Sequence, residues 1–207
     1  MRNAKIEQFL EQVESDVSEI VFDLPEILTT GYRTLFLLER HKDGGSNKEE
    51  RRSFSFEVVT DKDGLIVKLR EYLWLRYLHQ DKELRIYFSV NARNPHKATR
   101  NILDTLLDGL YADKINRELI ERKVLKGSRS YIMNPNTKAT SFFLFDIDNI
   151  EGRDVMGETL QEMAELGVVE IYRKSTRNGW HVITQPFNLT LWKGQAEIKT
   201  DGLLLLK

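Results

Sequence analysis

Apolar positions recur along this chain at two different periods, and the switches between them mark out its elements. Ile6, Phe9, Leu10, Val13 and Val17 fall at three- and four-residue spacings, one stripe of a helix over roughly Arg2 to Ile20. A strand is expected near Leu35 to Leu38, followed by the polar, glycine-containing run HKDGGSNKEERR, which reads as a mobile loop. Phe54 to Val59 alternates as a second strand. TDKDGLIVKLREYLWLRYL opens on Asp and Gly turn signals and continues as a helix apolar on nearly every side, which predicts burial. RIYFSV reads as a short buried strand ending at Asn91, and two helices are expected between Pro95 and Leu125, broken near Ala112 and Asp113.

SRSYIMNPNTKAT, with Pro135 between two asparagines, is the strongest punctuation in the chain. After it, a strand from Ser141 to Asp148 leads through Glu151 and Gly152 into a helix. The inner face of that helix carries Val155, Leu160, Met163 and Leu166, and Gly167 ends it. The strand VVEIYRKS, a turn at TRNG and the strand WHVITQPF come next. AEIKTDGLLLLK closes the chain as two short strand-like runs around Asp201 and Gly202. The order β, α, β, turn, β is that of a split βαβ unit, in which an antiparallel pair lies beside the first strand. The expected organisation is α+β, with an N-terminal α/β unit over 1–130 and a second unit over 131–207 that share one sheet or one cleft.

Composition narrows the class. The 207 residues are 41% apolar and 30% charged, with no apolar run of the roughly 18 residues a membrane-spanning helix needs. The N-terminus has helical periodicity without a signal peptide's apolar core, so a cytoplasmic location without membrane partners is expected. There are no cysteines, which excludes disulfides, thiolate metal sites and cysteine nucleophiles. Any metal must sit on oxygen or imidazole. The net charge is only −1, but residues 93–129 hold nine Lys/Arg against five Asp/Glu, whereas residues 1–50 hold six against eleven. That middle stretch, with Arg93, Lys97 and Arg100 at its start, is the candidate face for a nucleic-acid backbone, if it does more than solvate two helices.

Chemistry concentrates in two places. In FFLFDIDN, side chains two apart on a strand face the same way, so Asp146 and Asp148 point together while Phe145 and Ile147 enter the opposite layer. Two carboxylates so placed repel unless a cation lies between or beside them, and replacing either relieves that repulsion. Hard oxygen ligands of this kind suit Mg²⁺ or Mn²⁺, and such a pair can position two ions for phosphoryl or nucleotidyl transfer. In KSTRNGWHV, a tight Asn178-Gly179 turn is expected to gather Lys174, Ser175, Arg177 and His181 around one hairpin. Cations, hydroxyls and an imidazole so gathered would cradle a triphosphate. Asp201, a turn aspartate before a glycine, is a possible third carboxylate.

Taken together, FDID, STRNGWH and KTDGLLLL are similar in order and spacing to the three motifs of the archaeo-eukaryotic primase superfamily, the primase-polymerases, over about residues 141–207. The resemblance implies an RRM-like palm carrying the site. It implies Asp146, Asp148 and Asp201 as catalytic ligands of two Mg²⁺ or Mn²⁺ ions, with His181, Ser175 and Arg177 on the triphosphate. It implies a DNA primase or polymerase type of nucleotidyltransferase, joining nucleoside triphosphates on a single-stranded or template nucleic acid in DNA replication, with a helicase or accessory replication protein as partner. Gly179 stands where a serine is usual in that family. The residues by themselves also admit a non-catalytic nucleotide or nucleic-acid binding module, or a metal-dependent nuclease or phosphotransferase.

Overall fold

Residues 2–39, 52–112 and 128–207 are described in a computed structural model. The apolar stripe near the N-terminus forms helix α1 (Arg2–Asp23), followed by the short α2 (Glu26–Thr29). Its buried side lies further along than the spacing predicted. Val13, Val17, Ile20 and Val21 are buried, while Ile6 and Leu10 stay exposed. Strands β1 (Arg33–Glu39), β2 (Arg52–Val59) and β3 (Leu84–Ser89) form an antiparallel sheet, and α3 (Lys62–Leu78) crosses from β2 to β3. Helix α3 starts on Asp61, whose carboxylate accepts the Gly64 N–H at 2.7 Å. It is not apolar-buried all round: Leu65, Leu69, Tyr72 and Leu73 face inward, and Val67 and Leu78 are about half exposed. The run expected as a loop, His41–Arg52, lies outside the described residues up to 51, and Arg52 begins β2.

Helix α4 (Pro95–Tyr111) is capped by the Asn94 side chain, which accepts from the Lys97 N–H, and stops at Ala112 where a break was expected. The second helix expected before Leu125 falls outside the described residues, as do Lys114, Arg117, Arg122, Lys123 and Lys126 of the basic stretch. After α5 (Ser128–Ile132) and a 3₁₀ turn at Pro135–Thr137, the chain enters β4 (Phe143–Asp148), α6 (Val155–Glu165), β5 (Glu170–Thr176), β6 (Gly179–Thr184), β7 (Glu197–Lys199) and β8 (Leu203–Leu205).

The two closing strands part company. β7 pairs with β4 and completes a sheet of order β5-β6-β4-β7, while β8 pairs with β3 and completes the other, of order β2-β1-β3-β8. The fold is thus α+β, with two antiparallel four-stranded sheets and six α-helices among the described residues. The chain's last strand belongs to the N-terminal sheet.

Alternation decides what each face buries. On the second sheet, Phe145, Ile147 and Val182 pack against Val155 and Met163 of α6. Leu144, Tyr172 and Ile183, on the other face, join the main core with Val17, Leu37, Leu69, Phe88 and Leu204. The two sheets therefore share one core. Asn91, fully buried, bridges them: its amide donates to the Phe142 and Thr200 carbonyls at 3.0 and 3.1 Å and accepts the Phe142 N–H at 2.6 Å. Among the described residues no helix is long and apolar enough to cross a membrane.

Candidate functional site

The face of the second sheet that carries Leu144 turns polar two residues later. There the registers align one ionisable side chain from each strand: Lys174 lies across from His181, His181 across from Asp146, and Asp146 across from Glu197. Directly opposed residues of an antiparallel pair share a face, so these four form a continuous row. Three of the four, Lys174, His181 and Asp146, line a cavity of about 730 Å³, together with Asp148, Arg177, Lys199, Asp201, Arg76, Arg85 and Lys207. The seven residues expected to carry the chemistry after position 140 all border this one cavity.

Asp146 is the centre of the row. His181 Nε2 stands 3.3 Å from its Oδ1, and the Lys199 ammonium is hydrogen-bonded to its Oδ2. Lys199 also holds Glu197 at 3.0 Å. The N–H facing it from His181, and then Lys199, hold the Asp146 carboxyl well below the usual carboxylate range against the opposing effect of burial. For Lys199, burial pushes the ammonium downward, but the bonds to Asp146 and Glu197 outweigh it and raise the group above an ordinary lysine. Asp146 and Glu197 thus share one cation that the chain itself supplies, Lys199.

His181 is buried, and both ring nitrogens are engaged. Its Nδ1 accepts the Leu205 N–H at 3.3 Å, which leaves the ring proton on Nε2, toward Asp146. Leu205 is on β8, so this imidazole joins the second sheet to the first. Its position favours orienting Asp146 over the expected donation to a phosphate.

The hairpin departs from expectation in register. Thr176 pairs with Gly179, so the turn residues are Arg177 and Asn178, and Gly179 is the first residue of β6. Gly179 is required there by close approach: a Cβ would lie 1.8 Å from the Ile147 carbonyl oxygen. Ser175 lies across from Trp180, on the face opposite His181, whereas Thr176 shares the face of Lys174 and Asp148. The hydroxyl best placed toward the cavity is therefore that of Thr176. Trp180 packs with the α6-side cluster.

Asp201 borders the cavity, but Arg93 takes both its oxygens, at 2.6 and 3.1 Å. Arg93 is 2% exposed, so the structure does not offer it to a nucleic-acid backbone as the basic-face expectation required. Arg129, at the far end of that stretch, lies 4.8 Å over the Phe36 ring and is half-buried, again not a solvated cation. Lys97 and Arg100 do stand exposed on α4.

Sequence reasoning missed Lys199, Glu197, Thr176 and Arg76. Glu197 and Lys199 alternate with Ile198 in a strand only three residues long, too short for its period to register.

Among the described residues no three histidine or acidic side chains form a group able to hold a metal ion. Asp146 and Asp148 nonetheless fit an ion of the Mg²⁺ type, which takes one or two carboxylates and completes its shell with water and substrate phosphate. They project from one strand face into a cavity that also presents Lys174 and Arg177.

No protein-family model, curated protein or solved structure matches this chain.

Proposed function

We propose that the cavity binds a nucleoside triphosphate with a divalent cation, Mg²⁺ or Mn²⁺, and that the chain is a nucleotidyltransferase of the primase-polymerase kind acting on a template strand. The observation that carries the proposal is the row Lys174, His181, Asp146, with Asp148 beside it, across three neighbouring strands on one cavity face. Strand order supports it as well. β5-β6-β4-β7, with α6 following β4, is the arrangement expected of a split βαβ palm whose first strand ends in the acids.

In this reading Asp146 and Asp148 hold the cation, which neutralises charge that develops on the transferred phosphate. His181 orients Asp146 through its Nε2–H. Lys174, Thr176 and Arg177 take the outer phosphates, with two cations and a hydroxyl converging on one group. Asp201 becomes a third ligand only where its pair with Arg93 opens.

One observation favours a second reading, a nucleotide-binding module without turnover: Asp146 and Asp201 are already matched by Lys199 and Arg93. Isothermal titration of a nucleoside triphosphate with and without Mn²⁺, on wild type and Asp148→Asn, separates the two. Binding that needs Mn²⁺ and is lost in Asp148→Asn supports the metal site, and metal-independent binding that ignores the substitution supports the module. Incorporation of labelled nucleotide by the wild type, absent in a folded Asp146→Ala variant, supports catalysis. Incorporation retained in that variant ends it.

A further inference from the structure

Lys199 reaches Asp146 from β7, and the register makes the contact a built one. Asp146 and Glu197 are cross-strand partners, and Lys199 lies two positions further along on the same face, bonded to both. With His181 at the other oxygen, both oxygens of Asp146 already face protein donors. A divalent ion approaching this carboxylate at Oδ2 meets the ammonium already bonded there.

We infer that Lys199 is a resident counter-ion that competes with the divalent cation for Asp146, so that the cation enters together with a phosphate rather than alone. This rests on the proposal that Asp146 and Asp148 hold such an ion. A bare cation expels an ammonium from a half-buried carboxylate and adds its own charge to a cavity that also holds Lys174 and Arg177. Like charges then crowd one low-dielectric space. A cation that arrives with a triphosphate brings the compensating anion, and the displaced ammonium keeps Glu197 while gaining a phosphate oxygen. Metal and nucleotide therefore raise each other's affinity, and by the same factor.

The test measures Mn²⁺ affinity by titration calorimetry and electron paramagnetic resonance, with and without a non-hydrolysable nucleoside triphosphate. It compares wild type, Lys199→Met, Lys199→Arg and Asp148→Asn. Wild type is expected to bind bare Mn²⁺ weakly and to bind it more tightly once nucleotide is present. Lys199→Met should bind bare Mn²⁺ about tenfold tighter, the loss of one charge-assisted hydrogen bond to a competitor, and the enhancement by nucleotide should shrink by a similar factor. Lys199→Arg, which keeps the charge, should retain the coupling. If Lys199→Met does not fold, Lys199→Gln carries the same expectation.

Bare-metal affinity unchanged or weakened in the uncharged variant, or coupling undiminished, overturns the counter-ion. Mn²⁺ binding that depends on Asp148 but ignores Lys199 does so while leaving the metal site standing. Absence of Asp148-dependent Mn²⁺ binding in every variant removes the metal site, and the counter-ion with it.

Discussion

Arg93 and Asp201 form a two-pronged pair across 108 residues of chain, Nη2 to Oδ1 at 2.6 Å and Nη1 to Oδ2 at 3.1 Å. Asp201 sits where the chain leaves β7 in one sheet for β8 in the other, and the Arg93 backbone is pinned on either side by Tyr32 and Lys138. The pair therefore fixes the crossing between the sheets.

Removing one partner of such a pair leaves the other charge buried and unmatched. Asp201→Ala should cost about 3–5 kcal/mol of stability, read as a fall in the urea midpoint at unchanged slope. An aspartate that serves only as a metal ligand would show no loss, or a gain, in metal-free buffer. That outcome would transfer Asp201 from the frame of the protein to its chemistry.

Gly179 gives a test of how far the primase-like pattern extends. A serine there would match the residue usual in the primase superfamily that the motifs resemble, but its Cβ would collide with the Ile147 carbonyl oxygen. Both atoms belong to paired strands, so neither can move without opening the β4–β6 ladder. Gly179→Ser should therefore destabilise by about 1–3 kcal/mol or more, measured by thermal melting. A variant as stable as wild type would show that the hairpin has room for the hydroxyl.

Legibility in the sequence followed the range of the interactions. The shared face of Asp146 and Asp148 was readable because strand alternation is a local rule, and the same rule placed Phe145 and Ile147 against α6. The hairpin was readable as a hairpin but not in register. Moving the turn from Asn178-Gly179 to Arg177-Asn178 puts Lys174 rather than Thr176 across from His181 and leaves both on the cavity face, while Ser175 between them points away by strand alternation alone.

AEIKTDGLLLLK showed two strands, yet nothing local says that they join different sheets. The contacts that hold the crossing are distant in sequence: with Asp201 on Arg93, the neighbouring Gly202 carbonyl accepts the Val90 N–H and its missing side chain leaves room for Leu144. Lys199 was invisible for the same reason, because its partner lies 53 positions away. The exposed Val67 and Leu78 of α3 mark a different limit: apolar residues on every side of a helix predict burial only where there is enough protein to cover them.

Asp146 should leave a signature in the pH dependence of stability. Its folded carboxyl lies below the unperturbed value of 3.8, first through His181 and then through Lys199. A depressed carboxylate contributes stability that is fully present above the unfolded value and lost as pH falls through the folded one. The stability difference between wild type and Asp146→Asn, from urea denaturation at a series of pH values, should be constant near neutrality. It should shrink once the pH drops below about 4. Wild type should be the more stable at pH 7, because the attraction of the two donors outweighs repulsion from Asp148. If Asp146→Asn is the more stable protein at pH 7, repulsion between the aspartates dominates after all.

Whether the chain binds a nucleic-acid strand as proposed, and along which path, is testable through salt. α4 begins at Pro95, two residues after Arg93, whose partner Asp201 borders the cavity, so its first turns are a basic surface tied through that pair to the edge of the site. Lys97 is exposed there, and Arg100 is exposed with only a 3.8 Å i,i+4 contact to Asp104, a pair too solvated to hold it. Each phosphate contact on a single strand contributes about 0.7 to the slope of log affinity against log salt. Lys97→Ala and Arg100→Ala should each weaken single-strand binding independently of sequence and flatten that slope by about this amount. Arg70→Ala serves as the control, since that exposed arginine on α3 is already held by Glu14 at 2.6 and 2.7 Å. Its removal should leave the slope unchanged. Equal slopes for all four proteins would mean that the strand does not run along α4, and a flattening confined to Arg70→Ala would move the path to the α1–α3 side of the molecule.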